Sequence, residues 1–310
     1  MRIIRDYTFV EPEDRGASVA IGNFDGVHLG HQSVIDLARR GAPDAPLGVL
    51  TFEPHPREFF APEAPPFRLM SREARSSRLE KLGVQRLYEL PFNAALSGLT
   101  PDAFAREVVH EGLGLNHVVI GADFCFGKGR AGTATDLWRF GVEMGFGVTI
   151  APLLEKTQTT VSSTNIRKAL SDGRPRDAAV MLGHWHRIEG PVIGGEQRGR
   201  TLGYPTANMS LEGLHLPAFG VYAVLVDILD GPHQGSYHGV ASLGVRPMFG
   251  VNTPNIETFI FDFSGDLYGA QLSVGLVDHL RGEETFDSVA ALVTQMDADT
   301  AASRDILAAL

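Results

Sequence analysis

Residues 1–170 alternate short apolar runs with segments of helical period, and this alternation limits the first half of the chain to few folds. The runs are VAIG (19–22), PLGVLTF (46–52), VQRLYEL (84–90), NHVVIGA (116–122) and GVTIAPLL (147–154). Between them lie helix-like segments at 30–40, 71–82, 101–113 and 133–144. Brief continuous apolar runs separated by helices predict an α/β, Rossmann-like domain: a parallel sheet covered on both faces. Such sheets bind ligands at the carboxyl ends of their strands. The turn after the first run lies there, as do FEPHP (52–56) and GADFCFGKGR (121–130).

The pattern changes after 170. IRKALSDGRPRDAAVMLG reads as two short helices joined by a Gly-Arg-Pro turn, with Gly183 as the stop. From Ile188 onward the chain is mostly β: RIEGPVIGG, GVYAVLVDIL, SYHGVASLG, NIETFIFDF and AQLSVGLVDHL, separated by glycine-rich turns. Several strands so closely spaced predict a small antiparallel β-barrel, and FDSVAALVTQMDADTAASRDIL (286–307) then closes the chain as helix. A length of 310 residues exceeds the ~250–300 at which one core stops growing, so two domains are expected, 1–184 and 185–310.

Composition narrows the function. A net charge of −10 with no basic run argues against nucleic acid as the main partner. No stretch of 18 apolar residues occurs, and MRIIRDYTFVEPEDRG lacks the apolar core of a signal peptide, so no membrane partner is expected. A single cysteine, Cys125, excludes an intrachain disulfide and a cysteine-cluster metal site. These features predict a soluble cytoplasmic enzyme and leave its oligomeric state open.

Chemistry concentrates in a few stretches. VAIGNFDGVHLGH (19–31) reads as a buried strand, a glycine turn and a helix start near Leu29. His28 and His31, three apart, share one face of the first helical turn, beside N–H groups that favour phosphate. His55 in TFEPHP is suited either to a phosphate contact or to capping the loop. Asp123, Phe124 and Phe126, with Lys128 and Arg130, suit an aromatic ring system with phosphate nearby, or form a solvated charged turn. VSSTNIRKAL opens a helix with Ser162, Ser163 and Thr164, and such hydroxyls serve as caps. With Arg167 and Lys168 they also compose an anion site.

In the second half, GGEQRGRTLGYPTANM (194–209) supplies Gly195, Gly203 and Arg200 for a phosphate-cradling loop. Thr206 and Asn208 in PTAN offer hard oxygen ligands that suit Mg²⁺. Alternation in NIETFIFDF (255–263) puts Glu257, Phe259, Phe261 and Phe263 on one face, where a carboxylate is either exposed at a strand end or recruited for chemistry.

GNFDGVHLGH resembles the HxGH signature of the nucleotidyltransferases in its flavin adenylyltransferase variant, and VSSTNIR resembles the ISSTxIR signature of the same enzymes. GRTLGYPTAN, GVASLGVRPMFG and IETFIFDFSGDLYG, in this order, resemble the riboflavin kinase family. Together they cover almost the whole chain in the order of the bifunctional bacterial riboflavin kinase/FAD synthetases. The resemblance implies an HxGH nucleotidyltransferase domain followed by a six-stranded kinase barrel. It implies that His28 and His31 grip the triphosphate of ATP, with Gly22, Asn23, Phe24 and Gly30 beside it. Ser162, Ser163, Thr164 and Arg167 would hold the β- and γ-phosphates. It further implies flavin contacts from His55, Asp123, Phe124, Phe126 and Arg246, ATP·Mg²⁺ beneath the glycine-rich loop at Thr206 and Asn208, and Glu257 as general base. Ser242, Met248 and Cys125 depart from the commoner family residues, which bears on flavin contacts rather than on the reactions. The expected activity is phosphorylation of riboflavin by ATP to FMN, then adenylylation of FMN by a second ATP to FAD and pyrophosphate. A regulator with inactive sites would lack a ligand or base, and His28, His31, Asn208 and Glu257 are all present.

Overall fold

A computed structural model describes the chain except residues 153–154, 157–158, 195–202 and 249–250; side chains at 155–156, 159–160, 246–248 and 251–252 also lie outside the description. By contacts the chain forms two compact units. The first comprises Met1–Pro65 and Arg72–Val161, the second Pro66–Ser71 and Ser162–Leu310.

The first unit is built on strands β1 (Arg2–Ile4), β2 (Ser18–Ile21), β3 (Leu47–Glu53), β4 (Arg86–Pro91), β5 (His117–Gly121) and β8 (Gly147–Ala151). A small hairpin, β6 (Cys125–Phe126) with β7 (Gly132–Thr133), lies between the last two in sequence, and β9 (Glu155–Lys156) pairs with β10 (Thr159–Thr160) after them. The six-stranded sheet has the order β1-β4-β3-β2-β5-β8, and every pair in it is parallel. Residues 19–21 and 118–120 are wholly or almost wholly buried, as a parallel strand covered on both faces must be. Helix α1 (Leu29–Gly41) buries Ile35 and Ala38. Short helices α2 (Pro56–Phe60), α3 (Arg72–Lys81), α4 (Ala94–Gly98) and α5 (Pro101–Ala103) follow; α5 runs into a π-helical segment, Phe104–Gly112. Helix α6 (Ala134–Met144) starts at a capping box of Thr133 and Asp136 and stops at left-handed Gly145. Each buried Val, Leu or Ile in the shared core contributes about 1.5–3 kcal/mol.

The second unit begins with α7 (Ser163–Ser171) and α8 (Pro175–Leu182), which ends at left-handed Gly183 as the sequence predicts. Strands β11 (His186–Pro191), β12 (Thr206–Ser210), β13 (Gly220–Ile228), β14 (Gly235–Met248), β15 (Val251–Ile260) and β16 (Gln271–Arg281) follow. They form an antiparallel sheet in the order β11-β16-β13-β14-β15-β12, and an antiparallel bridge from Ile193 to Asn208 links its two ends. The C-terminal helix α9 (Val289–Ala308) packs on β13, β14 and β16. Arg281 grips both oxygens of Asp299, and Arg304 grips both of Asp262, which fastens this helix to the sheet.

One sequence expectation fails here. Strand β15 ends at Ile260, and the chain turns through Asp262 at φ 56°. Phe259 and Phe261 therefore join the outer cluster beneath α9, while Phe263 packs on the inner one. Alternation holds only as far as the strand does.

Candidate active sites

The first candidate site is the turn after β2. In the strand order β2 lies between β3 and β5, where the connections diverge, and ligands bind such sheets at that point. The turn is tightly wound: Phe24, Gly26 and Val27 have φ of 53°, 85° and 42°. Left-handed φ at a β-branched residue is strained, and such strain gathers at functional turns held by their surroundings. Here the surroundings are burial of Phe24 and Val27, the Gln32 side-chain N–H on Val27 O at 2.9 Å, and Thr51 Oγ1 donating to Asn23 O at 3.2 Å.

The turn delivers His28 as the N-cap of α1, its Nδ1 accepting from the His31 backbone N–H at 3.3 Å. The two imidazoles stack with centroids 3.7 Å apart and planes at 14°. Gly30 leaves room for this arrangement, because a Cβ there would stand 3.1 Å from the His28 ring and press on it. Burial, reinforced by neighbouring His28, holds the His31 imidazole well below the usual imidazole range, and its buried Nδ1 has no hydrogen-bond partner among the described residues. An orphaned ring nitrogen at a helix N-terminus is a place prepared for a polar ligand.

The other loops at the carboxyl edge divide. His55 caps α2: its Nδ1 accepts from the Arg57 N–H at 3.0 Å, while Glu58 accepts from the His55 N–H at 3.1 Å. Phe124 and Phe126 stack at 5.6 Å, but Phe126 is buried in the main core against Phe104, whereas Asp123 is exposed. Beside these loops Glu89, fully buried on β4, accepts from Arg72 Nε at 2.8 Å, Arg75 at 3.0 Å and Arg5 at 3.1 Å. Burial raises that carboxyl, yet the arginines, led by Arg72, outweigh it and hold the group below its usual range. No local pattern marks this cluster. At the opposite edge Ser18 Oγ donates to Ala38 O at 2.7 Å and so accepts from His117 Nδ1 at 2.8 Å, a structural Ser–His pair.

In the second unit Ser162 caps α7, its hydroxyl accepting from the Asn165 N–H at 3.2 Å. Ser163 opens the helix and Thr164 is exposed. Arg167 Nε donates to Phe67 O at 2.6 Å, and its guanidinium lies 5.2 Å from the Phe67 ring centroid. Phe67 is a partner that the sequence reading missed.

The second candidate site is the pair β12–β15. Asn208 stands directly opposite Glu257 in register, and Thr206 lies two residues along, so the three side chains share one face. Ala207 and Met209 alternate into the inner core. Asn208 is 7% exposed, so its amide is held rather than solvated. Gly203 adopts φ 85° just before this strand. Gly195 and Arg200 lie outside the described residues, as does the side chain of Arg246. Among the described residues no group of three His, Cys, Asp or Glu could hold a metal, and no helix is long and apolar enough to cross a membrane.

Comparison with known proteins matches both units. The FAD synthetase family model covers residues 10–165, and the riboflavin kinase model covers 182–307. The bifunctional riboflavin kinase/FMN adenylyltransferase of Pseudomonas fluorescens is 42% identical over 99% of this chain and 98% of that protein. The Bacillus subtilis protein of the same name is 34% identical over 96% and 95%. A crystal structure from Streptococcus pneumoniae, described as a macrolide-efflux protein, matches with a TM-score of 0.83 at 33% identity, covering 98% of each chain. With both family models matched in order and relatives aligned end to end, this chain belongs to the bifunctional riboflavin kinase/FMN adenylyltransferase family: an enzyme that makes FMN from riboflavin and ATP, and FAD from FMN and ATP.

Proposed function

We propose that the two reactions are carried by separate residue sets, with functional domains 1–184 and 185–310. For phosphorylation, Glu257 takes the proton of the ribityl hydroxyl. That oxygen bonds to the γ-phosphorus as the bond to the β-phosphate oxygen breaks, leaving ADP. The single observation that supports this most is the register of Asn208 against Glu257, with Thr206 on the same face. A hydroxyl and an amide oxygen beside a carboxylate fit Mg²⁺, which takes few protein oxygens and fills its octahedron with water and phosphate. When bound, it would neutralise charge developing on the phosphoryl oxygens.

For adenylyl transfer, an FMN phosphate oxygen bonds to the α-phosphorus and pyrophosphate leaves. His28 and His31 donate to phosphate oxygens, with Gly22, Asn23, Phe24 and Gly30 shaping the turn. Ser162, Ser163, Thr164 and Arg167 serve the departing pyrophosphate, with Mg²⁺ here too. The stacked imidazoles and the orphaned His31 nitrogen support this reading. Flavin contacts are assigned to Asp123, Phe124 and Arg246, while Phe126, buried against Phe104, backs Phe124 from the core. His55 contributes through the loop it caps. Because both steps consume ATP, we place the enzyme in the cytoplasm. With a net charge of −10, neither nucleic acid nor a membrane is proposed as a partner.

The test is separability. Replacing His28 and His31 together by alanine should abolish FAD formation while riboflavin is still phosphorylated, so FMN accumulates. Glu257→Gln should cut FMN formation by roughly 10²–10⁴, the usual contribution of a general base, while supplied FMN still becomes FAD. Loss of both activities in either folded variant rejects the division.

A further inference from the structure

Arg167, assigned above to the pyrophosphate, is held from both its side chain and its backbone by residues far away in sequence. On the side-chain side, the Nε–H bond to Phe67 O and the Phe67 ring fix the guanidinium plane. With that plane fixed, so is the direction of the Nη fork through which arginine grips phosphate bidentately. On the backbone side, His215 Nε2 lies 3.0 Å from Arg167 O and 3.1 Å from Ser171 Oγ, one turn apart on a single face of α7. The carbonyl only accepts, so Nε2 carries the proton, and Ser171 Oγ then stands as a second acceptor for it. The two holders are joined to each other: the His215 backbone N–H donates to Arg68 O at 2.8 Å, and Leu214 bridges Arg68 in parallel. A single parallel bridge, Arg68 to Leu214, thus ties the two holders of Arg167 to each other. His215 falls within the stretch matched by the riboflavin kinase model.

We infer that His215 is a positioning residue for adenylyl transfer, a contribution of the kinase half of the chain to the phosphate grip of Arg167. The inference rests on the proposed role of Arg167. His215 touches no reacting atom. By fixing one turn of α7 against the 67–68 strip, it sets where the guanidinium presents its fork, so removing it should weaken ATP binding more than turnover.

The experiment uses the full chain, with FMN adenylylation and riboflavin phosphorylation assayed separately. His215→Ala should raise the KM for ATP in adenylylation about tenfold, the size of one misplaced charge-assisted contact, with a smaller change in kcat. The kinase KM and kcat should stay put. His215→Gln, which keeps an N–H donor, should recover most of the loss. In an Arg167→Ala background, His215→Ala should add nothing, since its effect passes through that arginine. An unchanged KM in His215→Ala, a fall in both activities together, or full additivity with Arg167→Ala overturns the inference while leaving the role of Arg167 standing. If Arg167→Ala itself adenylylates normally, the assignment of Arg167 falls first and the inference with it.

Discussion

Substituting His186 should flatten the acid sensitivity of the second unit. This histidine sits on β11, paired across to Leu276, and is only 4% exposed. Burial first, then the nearby His184 and His215, push its imidazole down to about 3, against 6.5 for the free side chain. The unfolded chain therefore binds a proton that the folded one refuses. Stability from this group is full above 6.5 and is lost as pH falls from there toward the folded value near 3. At about 1.4 kcal/mol per pH unit, the loss reaches about 2 kcal/mol by pH 5 relative to pH 7. The chain has two tryptophans, and Trp185, packed in the outer cluster of the second unit, neighbours the site. In a Trp138→Phe background, urea titrations followed by Trp185 fluorescence at pH 7 and about pH 5 report this unit alone. His186→Gln should remain folded and lose about 2 kcal/mol less than its parent over that interval. Parallel pH profiles for parent and variant would falsify the assignment of the proton uptake to His186.

Gly30→Ala puts a methyl 3.1 Å from the His28 ring, so it should disturb the stacked pair and lower FAD formation at least tenfold, with FMN formation unchanged; equal adenylylation would show that the stacking is dispensable. Removing Mg²⁺ with EDTA should stop both reactions and re-addition should restore them, and FAD made in metal-free buffer would exclude the metal's role. Glu89→Gln leaves Arg72, Arg75 and Arg5 without their buried counter-charge, and should destabilise the first unit by about 3 kcal/mol, read by thermal unfolding; a shift under ~1 kcal/mol would mean that Glu53 takes up the load.

The sequence alone determined what is local. The parallel strands, the start of α1, the stop at Gly183 and most barrel strands were legible, because apolar period and turn chemistry act over a few residues. The motifs naming the two chemistries were legible too, since each holds its ligating groups within ten or so positions. Strand β1 and helices α2 and α4 were missed because three to five residues are too short to show a period.

Only the tertiary structure decided which side chains work and which hold. His55 became a cap because the chain turned into α2 directly after it, and Phe126 became core because the β6–β7 hairpin folded onto Phe104. The facing of Asn208 and Glu257, the three arginines around Glu89, and Phe67 lying 100 residues from the arginine it orients all depend on pairing between distant segments. Such pairing is selected by burial of the whole core, and local pattern carries no record of which distant residue will be the partner.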